Sequence, residues 1–233
     1  MTYDVTDKER FLRAELAAQR EARRNMPVVI SRAPTFKNAV KNGGFDTNTD
    51  WIASIGSTIS DGKLNVGDFT GSNETIRNVP DKTVRHDVYQ KVTFTISDST
   101  ANFGVRVTAT NMAGTSERVQ NDYHQIDGTY SVILPAGFFS QPYVLAFQRI
   151  ASHTGTLKVD DVSMWEVDPS DGVPWLRLPY GQRVGTHGRI DRDGSPLMSN
   201  DYEEFRIADQ YFIKPLVAPG VNTEFDVYCG IGA

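Results

Sequence analysis

The residues that could do chemistry are numerous but poorly grouped. His86, His124, His153 and His187 stand apart, with no H-x-x-x-H or H-E-x-x-H spacing to put two imidazoles on one metal. No G-x-S-x-G elbow and no phosphate-cradling P-loop occurs. "DRDG" at 191–194 begins like an EF-hand loop, but Pro196 follows and the twelfth position holds no glutamate, so it reads as a turn. "NET" at 73–75 is a glycosylation acceptor only in a secretory pathway. Carboxylates are plentiful, yet nothing in their spacing selects the pair a glycosidase needs. Cys229 is the single cysteine, so no disulfide closes within the chain, and it reads as a small apolar residue. No enzyme is predicted.

Composition bounds the rest. A chain of 233 residues with 39% hydrophobic and 10% aromatic residues can bury a substantial core. The net charge of −5 argues against nucleic acid as a partner. No apolar run is long enough for a membrane span. The opening "MTYDVTDKERFLRAELAAQREARRN" is charged throughout and has no apolar segment of the signal-peptide kind, which predicts synthesis and folding in a reducing cytoplasm.

Three regions must position whatever site exists. Residues 6–24 are predicted helical: Thr6 and Glu9 form a capping box, good helix formers follow, and Asn25 and Pro27 end the run. The apolar face is thin, with Phe11, Leu12 and Leu16 and otherwise alanines. It could rest on the chain's own sandwich, but a small-residue face so far from any strand predicts contact with another chain. Residues 1–30 are therefore read as an attachment segment.

From 36 to 167 the period is two. "STISDGKLNV" (57–66) is a hairpin signal around Asp61-Gly62. "VYQKVTFTIS" puts Val88, Val92, Phe94 and Ile96 on one face, and "FGVRVTAT" does the same with Phe103, Val105 and Val107. "GTYSVILP", "QPYVLAFQRI" and "TLKVDDVSMWEV" follow with no helix between them. The expected fold is mainly β, an antiparallel sandwich with an N-terminal α-helix and an extended C-terminal arm. The arm spans 168–233: prolines 169, 174 and 179 stiffen its start, and the tail looks too short for an independent core. Its aromatic load, Trp175 and Tyr180 first, predicts contact with neighbouring subunits.

"NGGFDTNTDW" (42–51), closed much later by "LKVDDVSMWEV", resembles the first and last strands of carbohydrate-binding modules with the galactose-binding-like jelly-roll fold. The resemblance covers about 38–167. It implies that Phe45 plugs the sandwich while Trp51 caps its core. It also implies a structural calcium on Asp46 and Asp160, with Asp161 as the alternative. The competing reading makes Asp46 a turn cap and pairs Asp160 or Asp161 with a cation or backbone amides. Family members bind glycans on aromatic platforms; here Tyr89, Tyr123, Tyr143, Phe147 and Trp165 are available, and the sequence selects none. Apart from that calcium, no cofactor is expected.

Such sandwiches occur in tailed-bacteriophage particles, which implies a non-enzymatic virion structural subunit, of collar, fibre or decoration type. It would be assembled in the host cytoplasm, docked through its termini on other virion proteins and on copies of itself, with a host-surface glycan as a further partner. The alternatives are a free carbohydrate-binding module of a polysaccharide-degrading system and a fragment of a glycoside hydrolase or lyase.

Overall fold

The computed structural model describes residues 13–16, 29–32, 35–53, 56–67, 75–78, 87–100, 103–110, 116–119, 122–138, 144–149, 154–185 and 188–231. In chain order the strands begin with β1 (Val29–Arg32), β2 (Phe36–Lys37), β3 (Trp51–Ile52), β4 (Ser57–Ser60), β5 (Lys63–Val66) and β6 (Thr75–Asn78). Next come β7 (Gln90–Ser97), β8 (Val105–Thr110), β9 (Ser116–Val119), β10 (Gly128–Leu134), β11 (Val144–Arg149) and β12 (Leu157–Glu166). The last six are β13 (Leu176–Arg177), β14 (Arg189–Arg192), β15 (Ser195–Pro196), β16 (Tyr202–Ile207), β17 (Gln210–Pro215) and β18 (Glu224–Ile231). The chain is mainly β, and all of the strand pairs described are antiparallel.

Two five-stranded sheets, ordered β10-β7-β12-β5-β4 and β3-β6-β11-β8-β9, face one another as a sandwich. Period-two alternation builds it: Val92, Phe94 and Ile96 of β7 point inward, as do Val105, Val107 and Ala109 of β8. The Phe94 and Phe147 rings, from opposite sheets, meet edge to face at 5.0 Å. The β4–β5 hairpin turns at Asp61 and Gly62, both with positive φ (54° and 68°), as a type I′ turn requires. Phe45 is buried in this core, and Trp51 packs on it with ring centroids 5.0 Å apart.

The expectation of an extended arm over 168–233 is corrected. That segment folds into β13–β18, in a three-stranded sheet β13-β17-β16 and a second sheet in which β1 and β2 also take part. Leu176, Leu178, Val184, Ile190, Ile213, Phe225, Val227 and Cys229 form a core of their own, which Trp165 of β12 completes. Its sheet also recruits remote chain: β1 pairs with β18 along Val29↔Ile231 to Arg32↔Tyr228, and Phe36 of β2 packs against the same core. A sheet assembled from segments remote in sequence thus borders the second core.

Of the predicted helix, residues 13–16 are described, and they are helical and exposed. Its other residues, Phe11 and Leu12 among them, lie outside the described residues. No helix among the described residues is long and apolar enough to cross a membrane.

Candidate functional site

The two stretches that carry the family resemblance lie against each other. Val162 N–H donates to the Gly43 carbonyl at 2.8 Å, and the Asn38 amide donates to the Val162 carbonyl at 3.2 Å. Strand β12 shifts register between Asp160 and Ser163, and this bulge, with Asp161 at φ 51°, turns both aspartates away from the core. Burial raises the Asp160 carboxyl pKa; the Asp161 amide it accepts from lowers it, the Asp161 and Asp46 charges raise it, and Lys63 lowers it. The Asp46 charge therefore reaches Asp160. Calcium takes six to eight oxygens, and no three His, Cys, Asp or Glu converge among the described residues. The Asp46–Asp160 pair supplies part of such a shell, and backbone carbonyls and water would have to supply the rest.

A second constellation lies on the outer face of the β6-β11-β8 strands. Because Val107, Ala109, Leu145 and Phe147 point into the core, Arg106, Thr108, Thr110, Ala146 and Gln148 point away from it. The strand registers set Arg106 opposite Gln148, and Arg77 opposite Ala146. Arg106 donates to Gln148 Oε1 through Nε at 2.8 Å and through a terminal nitrogen at 2.5 Å. Its guanidinium also lies 4.6 Å from the Tyr123 ring centroid. Thr108, Thr110 and Gln148 are buried although they face away from the sandwich core. Beside them, the Arg77 Nε–H is shut off from solvent with no hydrogen-bond acceptor. It is one of nine such buried side-chain atoms among the described residues, and the one on this outward side of β6, β11 and β8; leaving such a donor unpaired is costly, so an acceptor fits there.

The other candidates separate. Phe147 is wholly in the first core and Trp165 in the second, so neither can serve as a platform. Tyr89 is exposed, Tyr123 is half-buried beside Arg106, and Tyr143 lies outside the described residues. Leu16 and Tyr180 are exposed, at 51% and 76%. Trp175 is half-buried and packs on Phe205 and Phe212. Of the histidines, His124 has a described environment: its ring lies tilted against Tyr130 at 4.4 Å and meets Phe94 edge-on at 5.3 Å, and burial lowers its pKa while the Asp122 charge raises it. Arg77, Arg106 and Gln148 were not singled out from the sequence. The polar alternation in "RVTAT" was the available signal, but only strand pairing sets Gln148 opposite Arg106.

No protein-family model matches the chain, and no curated protein matches it either. Several solved structures do. One is an arabinose-bound α-L-arabinofuranosidase, MgGH51, at 13% identity and TM-score 0.44, over 55% of this chain and 26% of that one. Another is the enzymatically active domain of Bacteriophage CBA120 tailspike protein 4, at 13% identity and TM-score 0.36, over 56% of this chain and 21% of that one. A third is a mutant of CBM29-2, a family 29 carbohydrate-binding module, at 14% identity and TM-score 0.34, over 60% of this chain and 99% of that one. The chain thus spans about a quarter of the length of the first of these and a fifth of the second.

Proposed function

We propose that this chain is a non-enzymatic glycan-binding subunit that takes a carboxylate-bearing sugar beside the half-buried Arg77, Arg106 and Tyr123, at the outer side of β6, β11 and β8. The observation that carries the reading is the buried Arg77 Nε–H with no acceptor, beside the Arg106–Gln148 pair. Planar guanidinium and amide groups present paired donors and an acceptor at fixed spacing, which matches vicinal hydroxyls and carboxylates. Tyr123, half-buried beside Arg106, supplies an aromatic flank. None of the described outward side chains of these three strands is a carboxylate, which favours an acidic sugar. The same fact favours binding over hydrolysis, because glycoside hydrolysis needs two carboxyl groups.

The strand order supports a jelly-roll reading: β5, β12, β7 and β10 in one sheet and β6, β11, β8 and β9 in the other interleave as two Greek keys do. The virion setting implied by the sequence resemblance belongs to the same proposal.

Affinity electrophoresis and calorimetry with polygalacturonate and alginate test the binding. Retention by at least one of them, weakened tenfold or more by Arg77→Met with the melting temperature unchanged or raised, is the expected result. If Arg77 were only structural, its loss would lower stability instead. No retention by either polymer would overturn the reading.

A further inference from the structure

A second platform stands outside the sandwich. In the β13-β17-β16 sheet, Leu176 and Ile213 point into the second core, so their neighbours in sequence, Trp175, Arg177 and Phe212, point the other way. Register sets Phe205 opposite Phe212. The three rings form a cluster: Trp175 to Phe212 is 4.6 Å, Phe205 to Phe212 is 5.4 Å, and Trp175 to Phe205 is 5.9 Å. Their interplanar angles are 33°, 17° and 35°, so Phe205 and Phe212 stack while Trp175 is tilted against both. This face is not needed to close the second core, which lies on the opposite side of the sheet, and Trp175 and Phe205 stay partly accessible.

The frame is fixed in advance. A single oxygen of Glu166 accepts the Trp175 indole N–H at 3.0 Å and two Arg177 nitrogens at 3.1 and 2.8 Å. Arg177 then lies 5.4 Å from the Phe212 ring centroid. Lys214, across the register from Glu203, pairs with Asp171 and lies 3.7 Å from Asp168. Arg177 and Lys214 are each matched to a carboxylate, and Asp168, Asp171 and Glu203 leave this frame acidic, with hydrogen-bond donors and acceptors but no cation to spare for an anion. A nucleic acid or an acidic polymer would have to break those pairs, at the cost of stranding a half-buried charge. An uncharged polyhydroxylated ligand would not: the C–H face of a pyranose packs on the rings while its hydroxyls meet the paired charges.

We propose that Trp175 and Phe205, backed by the buried Phe212 on the β13-β17-β16 sheet, form a separate binding platform for a neutral glycan, independent of the Arg77–Arg106 site. Tryptophan fluorescence of the full chain reads it, because Trp51 and Trp165 are each only 6% exposed and Trp175 is the accessible one. Cellohexaose, xylohexaose and mannohexaose are the probes. At least one should give a saturable shift that weakens tenfold or more in Trp175→Ala and in Phe205→Ala, yet stays within twofold in Arg77→Met. Circular dichroism checks that each variant is folded; should Trp175→Ala unfold, Phe205→Ala and the milder Trp175→Tyr carry the test. No saturable shift with any of the three sugars overturns the proposal, as does unchanged binding in folded Phe205→Ala. A concentration-dependent dimer in light scattering that Phe205→Ala abolishes would also overturn it, since a second copy would then cover the face.

Discussion

Gly43 and Val162 touch with no room between them: the Val162 amide donates to the Gly43 carbonyl at 2.8 Å, and a Cβ on Gly43 would lie 1.9 Å from the Val162 carbonyl oxygen. This contact ties the first sandwich segment to the last strand. Backbone on both sides leaves no flexible side chain to yield. Gly43→Ala is therefore expected to cost about 3 kcal/mol, at the upper end of ordinary substitutions. Gly44→Ala, whose Cβ would meet only the Asp46 carboxylate at 3.7 Å, should cost under about 1 kcal/mol. Urea denaturation of both variants makes the comparison, and equal losses would contradict it.

Asp160 gives a prediction that depends on the metal. Its carboxyl pKa is raised, burial being the main cause. The fold thus favours the protonated form: that contribution is fully present below the unfolded pKa and is lost as pH rises through the folded one. Without divalent ions, Asp160→Asn should be more stable than wild type at pH 7 by about 0.5 kcal/mol after allowance for solvent screening, with the advantage gone near pH 3. With calcium at about a hundredfold excess over its Kd, wild type should gain about 2.7 kcal/mol, or roughly 5–10 °C in Tm, and Asp160→Asn should gain nothing. A wild-type melting curve indifferent to calcium and chelator would leave Asp46 and Asp160 as turn and bulge residues only.

His124 should make the sandwich edge acid-sensitive. Burial between Phe94 and Tyr130 lowers its pKa, so the folded state holds the neutral ring while the unfolded state takes up a proton as pH falls below about 6.5. Stability then falls from that pH down to the lower folded value. Melting temperatures of wild type and His124→Gln between pH 7.5 and 5.5 should converge or diverge accordingly, with the wild-type slope the steeper. Parallel slopes would show that the ring is free to protonate in the fold.

Glu166 holds the Trp175 and Arg177 side chains through one oxygen. Glu166→Ala should destabilise by about 1–3 kcal/mol, the usual range for removing a charged partner from half-buried donors. Glu166→Gln keeps one acceptor and should recover part of it. Chemical denaturation of the two variants, read together, separates lost charge from lost geometry.

Deletion of residues 1–28 stops short of β1, so it should leave the second core and the sandwich folded. If residues 1–30 attach this chain to copies of itself, as the sequence predicts, the truncated protein should run smaller by size exclusion with light scattering at an unchanged circular-dichroism spectrum. Identical assembly in both forms would remove that role.

Much of the sandwich was legible in the sequence because its information is local. Alternation in β7 and β8 named Val92, Phe94, Ile96, Val105 and Val107 as core, and Asp61-Gly62 named the hairpin. The "NGGFDTNTDW" turn correctly placed Phe45 in the sandwich with Trp51 upon it. These are matters of period two and of positive φ, which a few neighbouring residues decide.

Tertiary structure alone decided where remote segments meet. Nothing local says that Val29–Arg32 pairs with the far end of the chain, and without that partner the tail reads as an arm instead of a second core. Trp165 sits one residue after Met164 on the same strand, yet Met164 belongs to the first core and Trp165 to the second, because β12 is covered on both faces at its end. Arg77, Arg106 and Gln148, like Trp175, Phe205 and Phe212, converge only through antiparallel register between strands distant in sequence. A strand's period fixes which face a side chain takes; its neighbours across the ladder are fixed by loop closure and by the fit of whole sheets, which no short window of sequence contains.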